Sequence, residues 1–361
     1  MLPRFKKNIK NLIKITTVLM LFLSDLAWGN SYESIIKYLT NGDYQQAIAE
    51  LQPLIEKKDP HALTILGSMY ERGHGVPQDF ELAYKYYYAA ADKGYAPAQT
   101  SLSGLIIQRL ESKSALSDDL IKKFTEEAFY FLQEAALQGY ARAQVNLGYF
   151  HANGISGEVS SEKAVKWYTL AAQQGVAEAG HNLGVMYLEG QGVEQDFKLA
   201  KKWFNFGAAR NHPLSQMELG TIYMRGQGIE KNVKEAIYWW TLAAENGLAE
   251  SQFYLGFIYH MGEGGVPKNV SKAELWYTRA AEQGSIPSAI NLSSMYAYGE
   301  MVPKNKSLAY MWLELVATFT GEEEDIVNRN NLREELTQDE FQEGLRLVMK
   351  CLEKKENYFC K

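Results

Sequence analysis

A leucine followed by a small residue recurs along most of the chain: Leu66-Gly67, Leu102-Ser103, Leu147-Gly148, Leu183-Gly184, Leu219-Gly220, Leu255-Gly256 and Leu292-Ser293. The steps between successive leucines are 36, 45, 36, 36, 36 and 37 residues. Four positions before them stand Ala62, Ala98, Ala143, Ala179, Ser215, Ser251 and Ser288, and four after stand Tyr70, Tyr187, Tyr223, Tyr259 and Tyr296, with Ile106 and His151 as exceptions. Positions i, i+4 and i+8 share one helical face, so each period predicts a helix whose small residues let a neighbour approach. A second column follows: Ala83, Ala128, Ala164, Ala200, Ala236, Ala273 and Ala309, each with an aromatic three residues on (Tyr86, Phe131, Trp167, Trp203, Trp239, Trp276, Trp312). A small pair such as Ala171-Ala172 or Ala243-Ala244 closes that face. The pattern predicts a second helix per period, with the tryptophan column as core bolts at repeat junctions.

The turns fit a helix–turn–helix unit. Asp79, Ser160, Asp196, Asn232, Asn269 and Asn305 open the second helix, and all are good N-caps. Gly94, Gly139, Gly175, Asn211, Gly247 and Gly284 close it, residues that tolerate the left-handed C-cap conformation. No β-rich segment breaks the series. Self-similarity at this period is the signature of a stacked array.

The combined pattern, A-x3-LG-x2-Y-x2-GxGV and then D/N-x3-A-x2-WY-x2-AA-x2-G, resembles the Sel1-like repeat, a relative of the tetratricopeptide repeat. The resemblance covers residues 60–320 in seven copies, the second carrying an insertion near 111–119. It implies an all-α fold, a right-handed superhelical solenoid of stacked helix–turn–helix repeats. Residues 30–59, with Gly42-Asp43-Tyr44 and Ala47, read as an amino-terminal helical pair, and 321–361 as carboxy-terminal capping helices, which solenoid ends require. The resemblance implies an exported protein-interaction scaffold: members of the family serve as adaptor scaffolds, and several from intracellular bacteria are implicated in host-cell entry or trafficking of the bacterial vacuole. Cysteine-rich relatives linked to β-lactam binding or cleavage carry a cysteine pair in each repeat; this chain has none there, so that activity does not carry over.

Residues 1–14 are basic, Ile15–Leu23 is a short apolar run, and Ala27 and Gly29 offer a small-x-small end, the layout of a signal peptide over 1–29. The apolar run is short for a membrane span, so the mature chain is expected to begin near Asn30, secreted or periplasmic, with no membrane span after cleavage. An uncleaved anchor is the alternative. Beyond residue 29 the chain carries 32 basic and 42 acidic residues, which argues against a nucleic-acid partner.

Nothing in the sequence assembles into a catalytic, cofactor or metal constellation. The Gly-x-Gly turns at 73–75, 190–192, 226–228 and 262–264 follow helices rather than strands and lack the Lys-Ser/Thr of a phosphate loop. The six histidines show no i, i+4 pairing, and no G-x-S-x-G elbow is present. No enzyme activity, cofactor or small-molecule substrate is expected. Cys351 and Cys360, the only thiols, form either a local disulfide or two free thiols on the terminal segment.

By resemblance to tetratricopeptide arrays, the inward positions lie at −5, −2, +2, +5 and +6 from each anchor leucine. This places His181, Val185, Met217, Met224, Arg225, Phe253, Phe257, His260, Met261 and Tyr149 on a concave face. Methionine and aromatic side chains suit an adaptable surface for a partner protein or peptide. The alternative function is a periplasmic cell-envelope factor that binds or regulates peptidoglycan or polysaccharide machinery.

Overall fold

The computed structural model describes residues 32–112, 117–155, 157–300, 302–354 and 358–360. The expected signal peptide lies outside these residues, as does the tip of the insertion. Among them are eighteen α-helices and no strand. The fold divides into two compact units, one ending at Ala179 and including Gln191–Glu194, the other comprising Gly180–Gly190 and the chain from Gln195 onward.

The first unit contains α1 (Glu33–Asn41), α2 (Tyr44–Glu56), α3 (Pro60–Arg72), α4 (Phe80–Ala91), α5 (Ala96–Ser112), α6 (Asp118–Leu137), α7 (Ala141–Asn153), α8 (Ser161–Gln173) and the start of α9 (Ala177–Glu189). The second holds the rest of α9, then α10 (Phe197–Ala208), α11 (Pro213–Arg225), α12 (Val233–Glu245), α13 (Ala249–Met261), α14 (Val270–Glu282), α15 (Ile286–Tyr298), α16 (Lys306–Thr320), α17 (Glu323–Glu334) and α18 (Gln338–Lys354). The insertion lengthens one hairpin: α5 has 17 residues and α6 has 20, against 12 or 13 in most repeats.

The cap columns act as their chemistry requires. Asp79 and Asp196 each accept from two backbone N–H groups of the following turn, and Asn232, Asn269 and Asn305 from one each. Ser160 makes no such bond. Asn211, replacing glycine at a helix end, adopts φ 57°.

The glycine after each leucine has a specific partner. A Cβ built on Gly148 would lie 2.7 Å from the Tyr168 ring, and one on Gly67 2.8 Å from Tyr87; Gly184, Gly220 and Gly256 meet Phe204, Trp240 and Tyr277 in the same way. Those five aromatics are buried, Phe204 and Tyr277 completely. This corrects the expected bolt column by one residue. Trp167, Trp203 and Trp239 are only half-buried, although Trp276 and Trp312 are buried. The residue after each is the one that drives into the first helix. Where that residue is leucine (Leu132, Leu313), serine (Ser103, Ser293) stands in the place of the glycine.

A buried glutamine links successive hairpins. Gln252 donates to the Ala244 carbonyl at 3.0 Å and accepts from Gln283 at 2.7 Å, tying α12, α13 and the end of α14. Gln99 and Gln144 do the same in the first unit, and Asn246 donates to Gln216 at 3.1 Å in the second. The Gly-x-Gly turns are also joints: a Cβ on Gly228 would lie 2.5 Å from Phe197, the first residue of α10, and one on Gly264 would strike Val233, the first residue of α12. Cys351, in α18, is disulfide-bonded; the side chain of Cys360, the chain's other cysteine, is outside the described residues.

Candidate functional site

In the second unit, α9, α11, α13 and α15 are the first helices of their hairpins, and the predicted binding residues fall on them. On α13 Phe253, Phe257 and Met261 are spaced at i, i+4 and i+8, so they form one stripe. Phe257 is 36% exposed and Met261 48%. Phe253 is half-buried, its ring 6.3 Å from that of Phe257 and 6.1 Å from that of Tyr277. Met224 on α11 is half-buried against the Trp240 core, and Arg225 beside it is exposed. Leu214 and Tyr298 extend the apolar surface, 39% and 75% exposed.

Other predicted residues lie deeper. Met217 is buried in the same core as Trp240, and its carbonyl accepts the Trp240 Nε1–H at 3.2 Å. His260 is buried, edge-on to Tyr277 with ring centroids 5.9 Å apart, and its Nε2 lies 3.5 Å from the Glu300 carboxylate. Its Nδ1 has no partner. Val185 is half-buried against the Phe204 core. Tyr149 belongs to the first unit. The same register position thus ends in core or at the surface according to the size of its neighbours. Met217 is buried beside Trp240, whereas Phe253 stays half-buried against Tyr277.

His181 also packs inward. Its ring centroid is 5.7 Å from that of Phe204 and 5.0 Å from that of His212, and its Nδ1 is buried without a partner. His212 caps α11, its Nδ1 accepting from the Ser215 N–H. Burial holds both imidazoles neutral; it pushes His181, with His212 beside it, down to about 3, and His212 to about 4.

An acidic edge accompanies the apolar stripe; the register of inward positions includes Glu189 and Glu250, but sequence reasoning missed its half-buried member, Glu218. Glu218 stands one residue before the anchor Leu219 and is half-buried. It makes no hydrogen bond or ion pair among the described residues. Burial raises its carboxyl above the usual range, and Glu250 and Glu189 add to this, against the pull of Arg225. Glu250 accepts from the Tyr254 hydroxyl at 2.8 Å, and the Tyr254 ring stacks on Trp240 with centroids 4.9 Å apart. The signal available in the sequence was an acid at the position that Asn182, Tyr254 and Asn291 hold in neighbouring copies.

Among the described residues, no three His, Cys, Asp or Glu side chains could hold a metal ion together, and no helix is long and apolar enough to cross a membrane.

Comparison with known proteins matches the Sel1 repeat to residues 60–95, 120–140, 141–176, 177–212, 213–248, 249–285 and 286–317. A Sel1 repeat protein from Oxalobacter formigenes superposes with a TM-score of 0.61 at 28% identity, covering 72% of this chain and 99% of that one. A protective antigen of uropathogenic Escherichia coli, which displays the same repeat fold, superposes with a TM-score of 0.55 at 24% identity over 90% of this chain and 84% of that one. A chitin synthase regulator of Saccharomyces cerevisiae is 36% identical over 106 residues, 29% of this chain; the chain spans 14% of that protein's length.

Proposed function

The chain belongs to the Sel1 repeat family, whose members are generally protein-interaction scaffolds, and on that premise we propose that it holds a segment of a partner protein on the first-helix face of its second unit. The observation that carries this reading is the half-exposed stripe Phe253–Phe257–Met261. The hairpins are already locked by the glycine–aromatic pairs and the glutamine links, so the exposed Phe257 and Met261 at the open end of the stripe are not needed for stacking. Exposed apolar surface rimmed by polar residues marks interaction sites. The scaffold works outside the cytosol, as the leader-like pattern of residues 1–29 supports, and contact with a host cell is one setting for it. Amino-terminal sequencing of the exported protein should return a start within a few residues of Asn30; an intact Met1 would refute cleavage.

A photo-crosslinking amino acid placed at Phe257 or Met261, in the full chain in its own cell, tests the binding face. It should trap one partner protein that the same probe at Tyr238, exposed on α12, does not. Equal trapping at Tyr238 would remove the face from consideration. A second reading, regulation of a polysaccharide-synthesising enzyme in the cell envelope, draws on the similarity to the chitin synthase regulator. It would show as a synthase subunit in the same cross-link.

A further inference from the structure

We infer that the segment held on this face is a cationic amphipathic one, with its apolar stripe on Phe253, Phe257 and Met261 and its Lys or Arg side chains along one edge against Glu218 and Glu250. The inference rests on the binding face proposed above and adds the chemistry of its occupant.

Charge placement is the first argument. The first-helix residues of the second unit carry Glu189, Glu218 and Glu250 but a single permanent cation, Arg225. The second helices of the hairpins carry seven cations, Lys198, Lys201, Lys202, Lys234, Lys272, Arg279 and Lys306, and several are already engaged. Lys201 lies 4.5 Å from the centroid of the Tyr223 ring, Lys272 4.8 Å from that of Tyr259, and Arg279 4.9 Å from that of Trp276. Such contacts hold a cation over an aromatic face, away from Glu218.

The second argument is the state of Glu218 itself. A half-buried carboxylate with no ion pair and no hydrogen-bond donor is unfavourable, since its partial loss of water is offset only by the more distant pull of Arg225. Its acidic neighbours make this worse, which is why its proton is held more tightly than in an ordinary glutamate. A Lys or Arg delivered by a partner would relieve both effects at once. Glu250 is ready for the same role: the Tyr254 hydroxyl fixes one of its oxygens, and the stack on Trp240 fixes Tyr254. The acidic edge and the apolar stripe share α13, through Glu250 and Phe253, Phe257 and Met261. An apolar stripe with cations beside it matches both, whereas an acidic amphipathic segment would place like charges together.

The test uses the full chain and two synthetic helical peptides of about 18 residues. Both carry the same leucine stripe; one is flanked by lysine and the other by glutamate. Fluorescence anisotropy should show the lysine peptide binding at least about tenfold more tightly than the glutamate peptide. Glu218→Gln with Glu250→Gln should lower lysine-peptide affinity about tenfold and flatten its salt dependence, and Glu218→Lys with Glu250→Lys should invert the preference. Phe253→Ala with Phe257→Ala, checked for fold by circular dichroism, should lose both peptides. If the phenylalanine variant loses binding but the charge variants leave the preference unchanged, the cationic inference falls and the binding face stands. If the phenylalanine variant binds the lysine peptide as well as wild type, both fall. Failure of wild type to bind the lysine peptide overturns the cationic inference alone, because the Phe257 cross-link reports on the face independently.

Discussion

Gly220→Ala should destabilise the protein, although replacing a helical glycine by alanine ordinarily stabilises a helix by about 1 kcal/mol. The added Cβ would lie 2.8 Å from Trp240 Cγ and nearer still to Cδ1 and Nε1. Carbon atoms in contact sit about 3.5–4.0 Å apart, so the indole must retreat by about 1 Å. Overpacking of this kind costs about 1–3 kcal/mol. The retreat also strains the Nε1–H bond to the Met217 carbonyl, worth about 0.5–1.5 kcal/mol. Set against the helix-propensity gain, the net loss is about 1–3 kcal/mol. The second and seventh copies point to the compensating change, serine opposite leucine. Trp240→Leu alone removes buried ring volume, but Gly220→Ser with Trp240→Leu should lose less than the two single variants summed. Urea unfolding of the full chain, followed by circular dichroism, measures all four corners of the cycle. Stabilisation by Gly220→Ala, or strict additivity in the double variant, would show that the glycine and the aromatic do not share a slot.

Three further outcomes follow from the same geometry. Trp239→Ala should cost markedly less than Trp240→Ala, for which about 3–5 kcal/mol is expected in urea unfolding, because only Trp240 is fully enclosed. Gln252→Ala should cost about 2–3 kcal/mol by the same assay, since it strips Gln283 of a buried acceptor and the Ala244 carbonyl of a donor. Stability should fall as pH drops below about 6.5: His181 and His212 fold with depressed pKa values of about 3 and about 4, so the unfolded chain binds more protons across that window. Each imidazole should contribute about 1–2 kcal/mol of that loss at pH 5, and His181→Gln should flatten the stability–pH curve.

The period, the helical hairpins and their caps were legible in the sequence because each column repeats a single physical requirement. Which of two adjacent aromatics enters the core was not. Trp167-Tyr168, Trp203-Phe204, Trp239-Trp240 and Trp276-Tyr277 present two large side chains about 100° apart on a helix, and hydrophobic periodicity does not separate neighbours that are both apolar. The discriminating signal lay between the helices, in the exchange of glycine for serine when the second of the pair becomes leucine. A pairwise size rule of that kind appears only when one copy is compared with another.

The binding face was harder to read for a related reason. A register inherited from stacked hairpins says which way a position points, not how far its side chain can sink. His181, Met217 and Phe253 occupy equivalent places, yet Met217 disappears beside Trp240, whereas His181 and Phe253 stay half-buried, the one against Phe204 and the other against Tyr277. The open end of the stripe is Phe257 and Met261, one and two turns beyond Phe253 on the same helix. Glu218 escaped notice because an acidic residue on a helix is usually just solvated, and its half-burial depends on neighbours in adjacent repeats. The division of roles now has a physical basis. The second helices supply the interlocking aromatics and hold Lys201, Lys272 and Arg279 over aromatic rings, which frees the first helices of the second unit to carry exposed apolar and acidic groups. Residues that stacking does not need, and that solvent does not favour, are the ones a partner can use.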